Sequence, residues 1–509
     1  MVQDFYTELA HRDLSYILRK ETFSSPKFIG EEKVFKFLLD IQNNPHYKIL
    51  IYGDYDVDGL CSALIMKDTL QHLGCFNYSV FHYRSRTHQV DREAVRQAIQ
   101  QHCDYMIICD AGSSDLETIK ELISYNIKVI LLDHHNTPYF YEDYGDSVAV
   151  INTMIENALV SNNNFALSAG ALCFCVCDKF IQEVAQLPEL KSIIAYALIS
   201  LYSDCMDMSN ILNRKIYYKA ISIEREELPI YVQHFMSEYQ SFSSRFIQFW
   251  FAPRINAAFR SEQFDALNHY FFENLDTIQR AKCIEIINDQ YVADRKMTGL
   301  LADLVDVVHL KNFVYCNLQS AQVKSSLPFK NIHNYTGLVA NKLNSIYGKT
   351  AVVFCEYGGI YKGSLRDQFS RNYLRLFQNI CYAAGHNSAF GIQIKLLDLP
   401  NFIKSLELID ARYSIEAVNN EPIIINYNYN TPDSVLIEDI ALYNEFSGHN
   451  LPVALLSKQL IGNMPETQTS YYYRYAWGDY FVQSEHKLDF GSDLLLKPIK
   501  SKTTKLICQ

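Results

Sequence analysis

Asp54, Asp56 and Asp58 stand on alternate positions of the stretch Ile49-Leu-Ile-Tyr-Gly-Asp-Tyr-Asp-Val-Asp-Gly59, directly after a short apolar run. Divalent cations that prefer oxygen donors are held by several carboxylates converging on one point. The alternative is a plain polar turn between a strand and a helix. Two more acids occur in the same setting. Asp110 follows the apolar residues 105–109, and Asp133 follows residues 128–132 and leads into His134 and His135. One acid after a strand is commonplace. Three in succession, the last with adjacent histidines, are a signal for a pair of metal ions. Asp204 ends another apolar run, residues 193–202, with Asp207, Asn213 and Arg214 beyond it.

These acids need a scaffold that brings them together. Residues 47–52, 105–109 and 128–132 read as buried strands, and each is followed by a helical pattern. Leu60, Ala63, Leu64, Leu70 and Leu73 give the first helix its apolar positions. Leu116, Ile119, Leu122 and Ile123 do so for the second, and Ser114-Asp-Leu-Glu117 reads as its capping box. Strand–acid–helix units in order imply a parallel α/β sheet, in which ligands bind beyond the carboxyl ends of the strands.

Residues 1–45 look mostly helical. Phe251-Ala-Pro-Arg-Ile-Asn-Ala-Ala-Phe-Arg260 is a compact basic-polar stretch. Residues 264–307 are strongly helical, without Gly or Pro until Gly299. A second α/β pattern begins near Phe313 and contains Lys362-Gly-Ser-Leu-Arg366 and Ala384-Gly-His-Asn-Ser-Ala-Phe-Gly391. Beyond about residue 405 the pattern turns strand-like, as in residues 422–427, 452–456 and 471–475.

The chain has 509 residues, 49% of them hydrophobic, which is enough for about three domains with cores of their own. No run reaches the roughly 18 apolar residues of a membrane helix. The start, Met-Val-Gln-Asp-Phe, lacks the features of a signal peptide, so a soluble, intracellular protein is expected. Thirteen cysteines, among them Cys173, Cys175 and Cys177, read as reduced, buried thiols rather than metal ligands. A net charge of −11 argues against a nonspecific nucleic-acid coater, but not against an enzyme that binds a polyanion in a local groove.

The ordered set of motifs resembles the DHH phosphoesterase superfamily and, within it, the RecJ-like single-stranded-DNA exonucleases. Gly53-Asp-Tyr-Asp-Val-Asp-Gly59, Asp110-Ala-Gly112 and Asp133-His-His135 are similar to the first three family motifs. Asp204 stands at the fourth, with Asn213-Arg214 downstream. Pro253-Arg-Ile-Asn-Ala257 with Arg260, Gly363-Ser-Leu-Arg366, Gly385-His386 and Glu445-Phe-Ser-Gly-His-Asn-Leu-Pro452 resemble later RecJ segments. There are departures. Tyr52 replaces a histidine that ligates metal in many superfamily members. Thr153 and Ala384 replace a proline and a glycine. Residues 84–90 lack the usual glycine-tyrosine-glycine.

The resemblance implies a parallel-sheet DHH catalytic domain (residues 1–261) and a connecting helix (262–310). A smaller α/β DHH-associated substrate domain (311–405) and an OB-like β module (406–509) would follow. It implies a hydrolase, an exonuclease acting on single-stranded DNA in the 5′→3′ direction and releasing mononucleotides, in recombination, repair or replication. Two divalent metal ions about 3.5–4 Å apart would activate a water, with Mn²⁺ the first choice and Mg²⁺ the alternative. Asp54, Asp56, Asp58, Asp110, His134 and Asp204 would hold them, with Asp110 bridging. His135 would face the phosphate or leaving group, and Asp133 would orient the histidines. Arg214, Arg254, Asn256, Arg260, Ser364, Arg366, Gly385 and His386 would contact the strand; Arg84 and Arg86 are weaker candidates. A monomer in the bacterial cytoplasm, or in an infected host's, is expected, with a single-strand-binding protein or helicase as company. The alternatives are a phosphodiesterase for short or cyclic oligonucleotides, or a non-catalytic DNA-binding scaffold.

Overall fold

Strands whose side chains are apolar on both faces must be covered on both sides, as in parallel sheets flanked by helices. The structure is a computed structural model and describes residues 2–84, 89–160, 164–237, 240–321, 331–367, 371, 373–386, 388–412, 423–427, 432–447, 451, 453–459, 466–468, 473–477, 480–484, 493–499 and 504–508. Five such strands form its first sheet: β1 (Ile49–Gly53), β2 (Tyr78–Val80), β3 (Tyr105–Cys109), β4 (Lys128–Asp133) and β5 (Val148–Asn152). All neighbours are parallel, in the order β2-β1-β3-β4-β5. Their carboxyl ends therefore lie along one edge.

Leu50, Tyr52, Met106, Ile108, Val129 and Leu131 face one apolar core, closed by helix residues such as Val95, Ile119 and Leu122. On the other side α1 (Val57–His72) is buried around nearly its whole circumference, between α2 (Ala169–Lys179) and α3 (Lys191–Ser203). A helix apolar on all sides belongs in an interior. Cys173, Cys175 and Cys177 are buried free thiols of α2. The expected capping box at Ser114 does not form. Helix Leu116–Ser124 is preceded by Asp115, and the Ser114 hydroxyl donates instead to the Asn136 carbonyl at 2.9 Å.

The chain divides into two compact units: residues 1–288 with 422–448 and 453–509, and residues 289–421 with 449–452. The boundary at residue 288 falls inside a 28-residue helix, Thr277–Leu304. The helical stretch expected from 264 onward is broken, because Phe264–Phe272 is a separate helix.

The second unit holds a six-stranded sheet of β6 (Val308–His309), β7 (Phe313–Asn317), β8 (Thr350–Tyr357), β9 (Ile360–Arg366), β10 (Tyr382–His386) and β11 (Ala389–Lys395), ordered β10-β11-β9-β8-β7-β6. Only β7 and β8 are parallel. α4 (Thr336–Tyr347) packs Val339, Ala340 and Leu343 on one face, against Val353 and Cys355. Helix Leu399–Arg412 packs Phe402 and Leu406 on the other.

The strand-like tail belongs to the first unit. It forms a seven-stranded sheet in which one outer pair, β12 (Ile423–Asn426) and β13 (Ala454–Gln459), is parallel. Its helix α5 (Ser434–Phe446) buries Glu445 and Phe446 among Tyr202, Tyr217 and Ser244. Among the described residues no helix is long and apolar enough to cross a membrane.

Candidate metal centre

Each acid singled out by the strand pattern sits at a carboxyl end. Asp54 follows β1, Asp56 caps α1, and Asp58 lies in its first turn. Asp110 follows β3, Asp133 ends β4, and Asp204 caps α3. The Asp110 backbone is left-handed, with φ of +62°. Asp tolerates this region better than most residues.

Asp58 is locked in place. Its Oδ2 accepts from the Ala169 amide at 2.9 Å and its Oδ1 from the Gly170 amide at 2.8 Å, both at the start of α2, and the Ser200 hydroxyl donates to it too. Gly170 is required here, since a Cβ would stand 2.6 Å from the Ser200 side chain. Asp133 holds the histidine pair. Its Oδ1 accepts from the His134 amide (2.7 Å), the His135 amide (3.2 Å) and His135 Nδ1 (2.8 Å), and its Oδ2 from the Ser113 amide (3.2 Å). Asn152 ties this loop down by donating to the His135 carbonyl at 2.9 Å and to Ser113 Oγ at 2.8 Å.

His134 Nε2 then lies 3.3 Å from Asp110 Oδ1, 3.7 Å from Asp204 Oδ2 and 3.8 Å from Asp58 Oδ2. Two groups place their donor atoms within 4.8 Å of one another and could hold a metal ion: Asp58, His134 and Asp204, and Asp110, His134 and His135. Asp54 and Asp56 fall outside both. Asp54 Oδ1 accepts from the Tyr55 amide at 2.8 Å, and Asp56 Oδ1 from the Gly59 amide at 3.0 Å. His135, expected on the phosphate side, belongs to one group yet keeps 56% of its side chain exposed.

The electrostatics fit a cation. Burial, then the neighbouring Asp54, pushes Asp56 up to about 6. Burial also pushes Asp58 up to about 6, with Asp204 and Asp56 adding to it against the opposing charge of His134. Burial and the charges of Asp58, Asp56 and Asp54 raise Asp110 well above the usual carboxylate range. Its buried Oδ1 has no hydrogen-bond donor among the described residues. A divalent cation would reverse this penalty. Asp133 differs: burial alone would raise it, but the charge and hydrogen bond of His135 hold it well below that range. Burial also opposes charge on His135, and Asp133 outweighs it, taking His135 up to about 10.

Residues 48–200 match the model of the DHH family, N-terminal domain. That stretch is similar to a DHH-family N-terminal domain. The chain is 24% identical over 462 residues to YorK of Bacillus subtilis (strain 168), provisionally named an SPbeta prophage-derived single-strand DNA-specific exonuclease; the match covers 84% of this chain and 76% of YorK. It is 23% identical over 373 residues to the single-stranded-DNA-specific exonuclease RecJ of the same strain, covering 71% of this chain and 45% of that one. The crystal structure of RecJ from Thermus thermophilus in complex with Mn²⁺ superimposes with a TM-score of 0.72 at 15% identity, over 98% of this chain and 74% of that one. The fold is RecJ-like.

The first unit places some of the expected strand contacts inward. Arg214 is buried, donates to the carbonyls of Met208 and Ser209, and lies over the Tyr16 ring. Arg254 is buried, donates to Asn288 Oδ1 (2.8 Å) and the Trp250 carbonyl (2.6 Å), and stacks 3.7 Å from the Trp250 ring. Asn256 and Arg260 are half-buried, one turn apart on helix Ala252–Arg260. Arg84 is exposed, and Arg86 lies outside the described residues. Tyr52, at the position of the absent histidine, donates to the Gln89 carbonyl at 3.1 Å.

In the second unit, cross-strand register does what spacing could not. Arg366, Ala389 and His386 form one row across β9, β11 and β10, and Ser364, Gly391 and Ala384 form the next, with Gly385 between them on β10. Ser364 Oγ is 3.0 Å from Thr336 Oγ1 at the start of α4. A Cβ on Gly337 would stand 3.0 Å from Arg366 Nη2 and 3.5 Å from Ser364 Oγ, so the glycine leaves these two groups their room.

Sequence reasoning missed the residues that aim the ligands: Ser113, Asn152, Gly170 and Ser200 carry no motif of their own. It also missed Tyr83. This phenol is buried, its hydroxyl has no hydrogen-bond partner among the described residues, and burial with the charges of Tyr52, Asp54, Asp56 and Asp110 raises its pKa. Among 36 tyrosines nothing in the sequence marks it.

Proposed function

We propose that this chain is a metal-dependent exonuclease that hydrolyses single-stranded DNA, 5′→3′, and releases mononucleotides. The observation that carries the reading is the meeting of Asp58, Asp110, His134 and Asp204 beyond parallel strands in a RecJ-like fold. The names of YorK and RecJ supply the substrate class.

Two divalent ions, Mn²⁺ for preference, would supply charge neutralisation at the phosphate and a water of lowered pKa. Asp58, His134 and Asp204 would hold one and Asp110 the other, with Asp54 and Asp56 as further ligands. The remaining work falls to the protein. Ser200 and the α2 amides keep Asp58 from turning away. Asp133 fixes the His135 proton on Nδ1 and presents Nε2 outward to the scissile phosphate or the leaving oxygen. Ser364, Arg366, Gly385 and His386 would take a strand phosphate, since a guanidinium suits bidentate phosphate contact. Asn256 and Arg260 remain candidates for the strand. Arg214 and Arg254 would act through packing. The expected setting is cytoplasmic, beside a single-strand-binding protein or helicase.

The test is a long single strand, labelled at the 5′ end in one reaction and at the 3′ end in another, with Mn²⁺ and with Asp110→Ala as control. Immediate release of labelled mononucleotide from the 5′ end, lost in Asp110→Ala, is the expected result. An uncut long strand with cleavage of dinucleotides or cyclic dinucleotides would favour the short-substrate reading. Tight strand binding with no turnover would favour a scaffold.

A further inference from the structure

The open sheet face of the second unit extends beyond Ser364 and Arg366. Residues directly opposite in antiparallel pairs share a face. The row after Ser364–Gly391–Ala384 is Lys362–Gln393–Tyr382, and the one after that pairs Ile360 with Lys395. The reverse face is apolar core, with Leu365, Phe390, Ile392 and Ile394. α4 covers this face over β7 and β8, where Val353 and Cys355 are buried, and over the Ser364–Arg366 stretch of β9, where Thr336 Oγ1 lies 3.0 Å from Ser364 Oγ. Across β11 and β10 the residues Gly391, Gln393, Lys395, Ala384 and Tyr382 are exposed.

Three features of this face point to a ligand. It is basic in an acidic protein: the rows carry Arg366, Lys362 and Lys395 and no Asp or Glu, while the chain is −11 overall. Its centre is flat, because Ala384 and Gly391 raise almost no side chain. Its margins carry exposed aromatic rings. Tyr382 is 64% exposed on edge strand β10, and Tyr357 is 47% exposed at the end of β8. Tyr357 is held rigid: His333 stacks on it with ring centroids 3.6 Å apart and planes at 23°, and Lys362 Nζ lies 5.0 Å from its centroid.

We propose that this face is a track for single-stranded nucleic acid, running from Ser364 and Arg366 past Lys362, on which Tyr357 and Tyr382 stack against bases. The proposal rests on the single-strand reading above and adds to it a base contact separate from the phosphate contacts. Every base has a π-face, so aromatic rings beside a positive groove bind single strands with little regard to sequence. A rigid, pre-stacked ring loses little conformational freedom on binding. The same-face repeat of β9, roughly 6.7 Å from Lys362 to Ser364 and again to Arg366, offers successive polar groups to an extended backbone.

The experiment measures binding of a fluorescent oligothymidine to the full chain in EDTA, so that no turnover occurs. The same backbone carrying abasic residues serves as comparison. Tyr357→Ala and Tyr382→Ala are made singly, with circular dichroism to check folding. Each should weaken binding of the intact strand about 5- to 150-fold, the range of one lost base stack, and leave binding of the abasic strand unchanged. Unchanged affinity for the intact strand, or equal losses on both strands, would overturn the track while leaving the exonuclease reading in place. Failure of the unsubstituted protein to bind either strand would overturn both.

Discussion

Asp110→Asn tests the metal centre through stability rather than turnover. Asp110 is buried, its Oδ1 lacks a donor among the described residues, and burial with four neighbouring carboxylates raises its pKa well above the ordinary range. In the metal-free protein the folded state therefore holds a proton that the unfolded chain releases near pH 4. The sign follows: a carboxyl whose folded pKa is raised contributes stability at low pH and loses it as pH rises toward the folded value. One such proton costs about 1.4 kcal/mol for each pH unit between the unfolded and the folded value. Asparagine accepts the left-handed backbone, keeps the shape and carries no titrating proton. In urea unfolding with EDTA, the substituted protein should gain on the parent steadily from pH 5 to pH 8. Mn²⁺ should stabilise the parent strongly at pH 8 and the variant little. Equal slopes in EDTA, or equal Mn²⁺ stabilisation, would refute the reasoning.

Other substitutions probe the parts that aim the ligands. Gly170→Ala puts a Cβ 2.6 Å from Ser200, so it should weaken Mn²⁺ binding by calorimetry and cost about 1–3 kcal/mol of stability; adding Ser200→Gly should recover part of the stability. Asp133→Asn frees His135 Nδ1 and should lower metal affinity or turnover by about 10- to 100-fold, with a small change in unfolding midpoint. Glu445→Ala strands the Ser244 and Tyr217 donors and should cost about 1–3 kcal/mol, read by urea unfolding, whereas Glu445→Gln should cost less.

The metal centre was legible in the sequence because parallel strands impose it. A buried strand must be apolar, so an acid directly after one is conspicuous. Right-handed crossovers then return every strand in the same direction, which puts Asp54, Asp110 and Asp133 at one edge without knowledge of the strand order. Strands β2 and β5 escaped notice: β2 has three residues of modest apolarity, and β5, Val-Ala-Val-Ile-Asn, ends in no acid to mark it. The supports of the ligands escaped for another reason. Ser200 reaches Asp58 across 142 positions of sequence, and a buried serine in an apolar helix looks like any small core residue until the helices are docked. Spacing could not show where Arg214 and Arg254 direct their charge, because an arginine can turn to carbonyls and a ring as readily as to a phosphate.

On the proposed function, an acidic protein has to take up a polyanion despite its own charge, and the two units would do so differently. In the first unit the acids are concentrated, and burial destabilises their charged forms, a penalty that a bound cation would remove. The same cation then makes that spot attractive to a phosphate. In the second unit no cation is needed. The rows of the open sheet face carry Lys362, Lys395 and Arg366 and leave acids out, so a strand can lie on protein groups alone. On the proposed reading, chelation should therefore abolish turnover while leaving much of the binding to a single strand. A rise in salt should weaken binding even in EDTA, because it competes with the lysines and arginine for the phosphates.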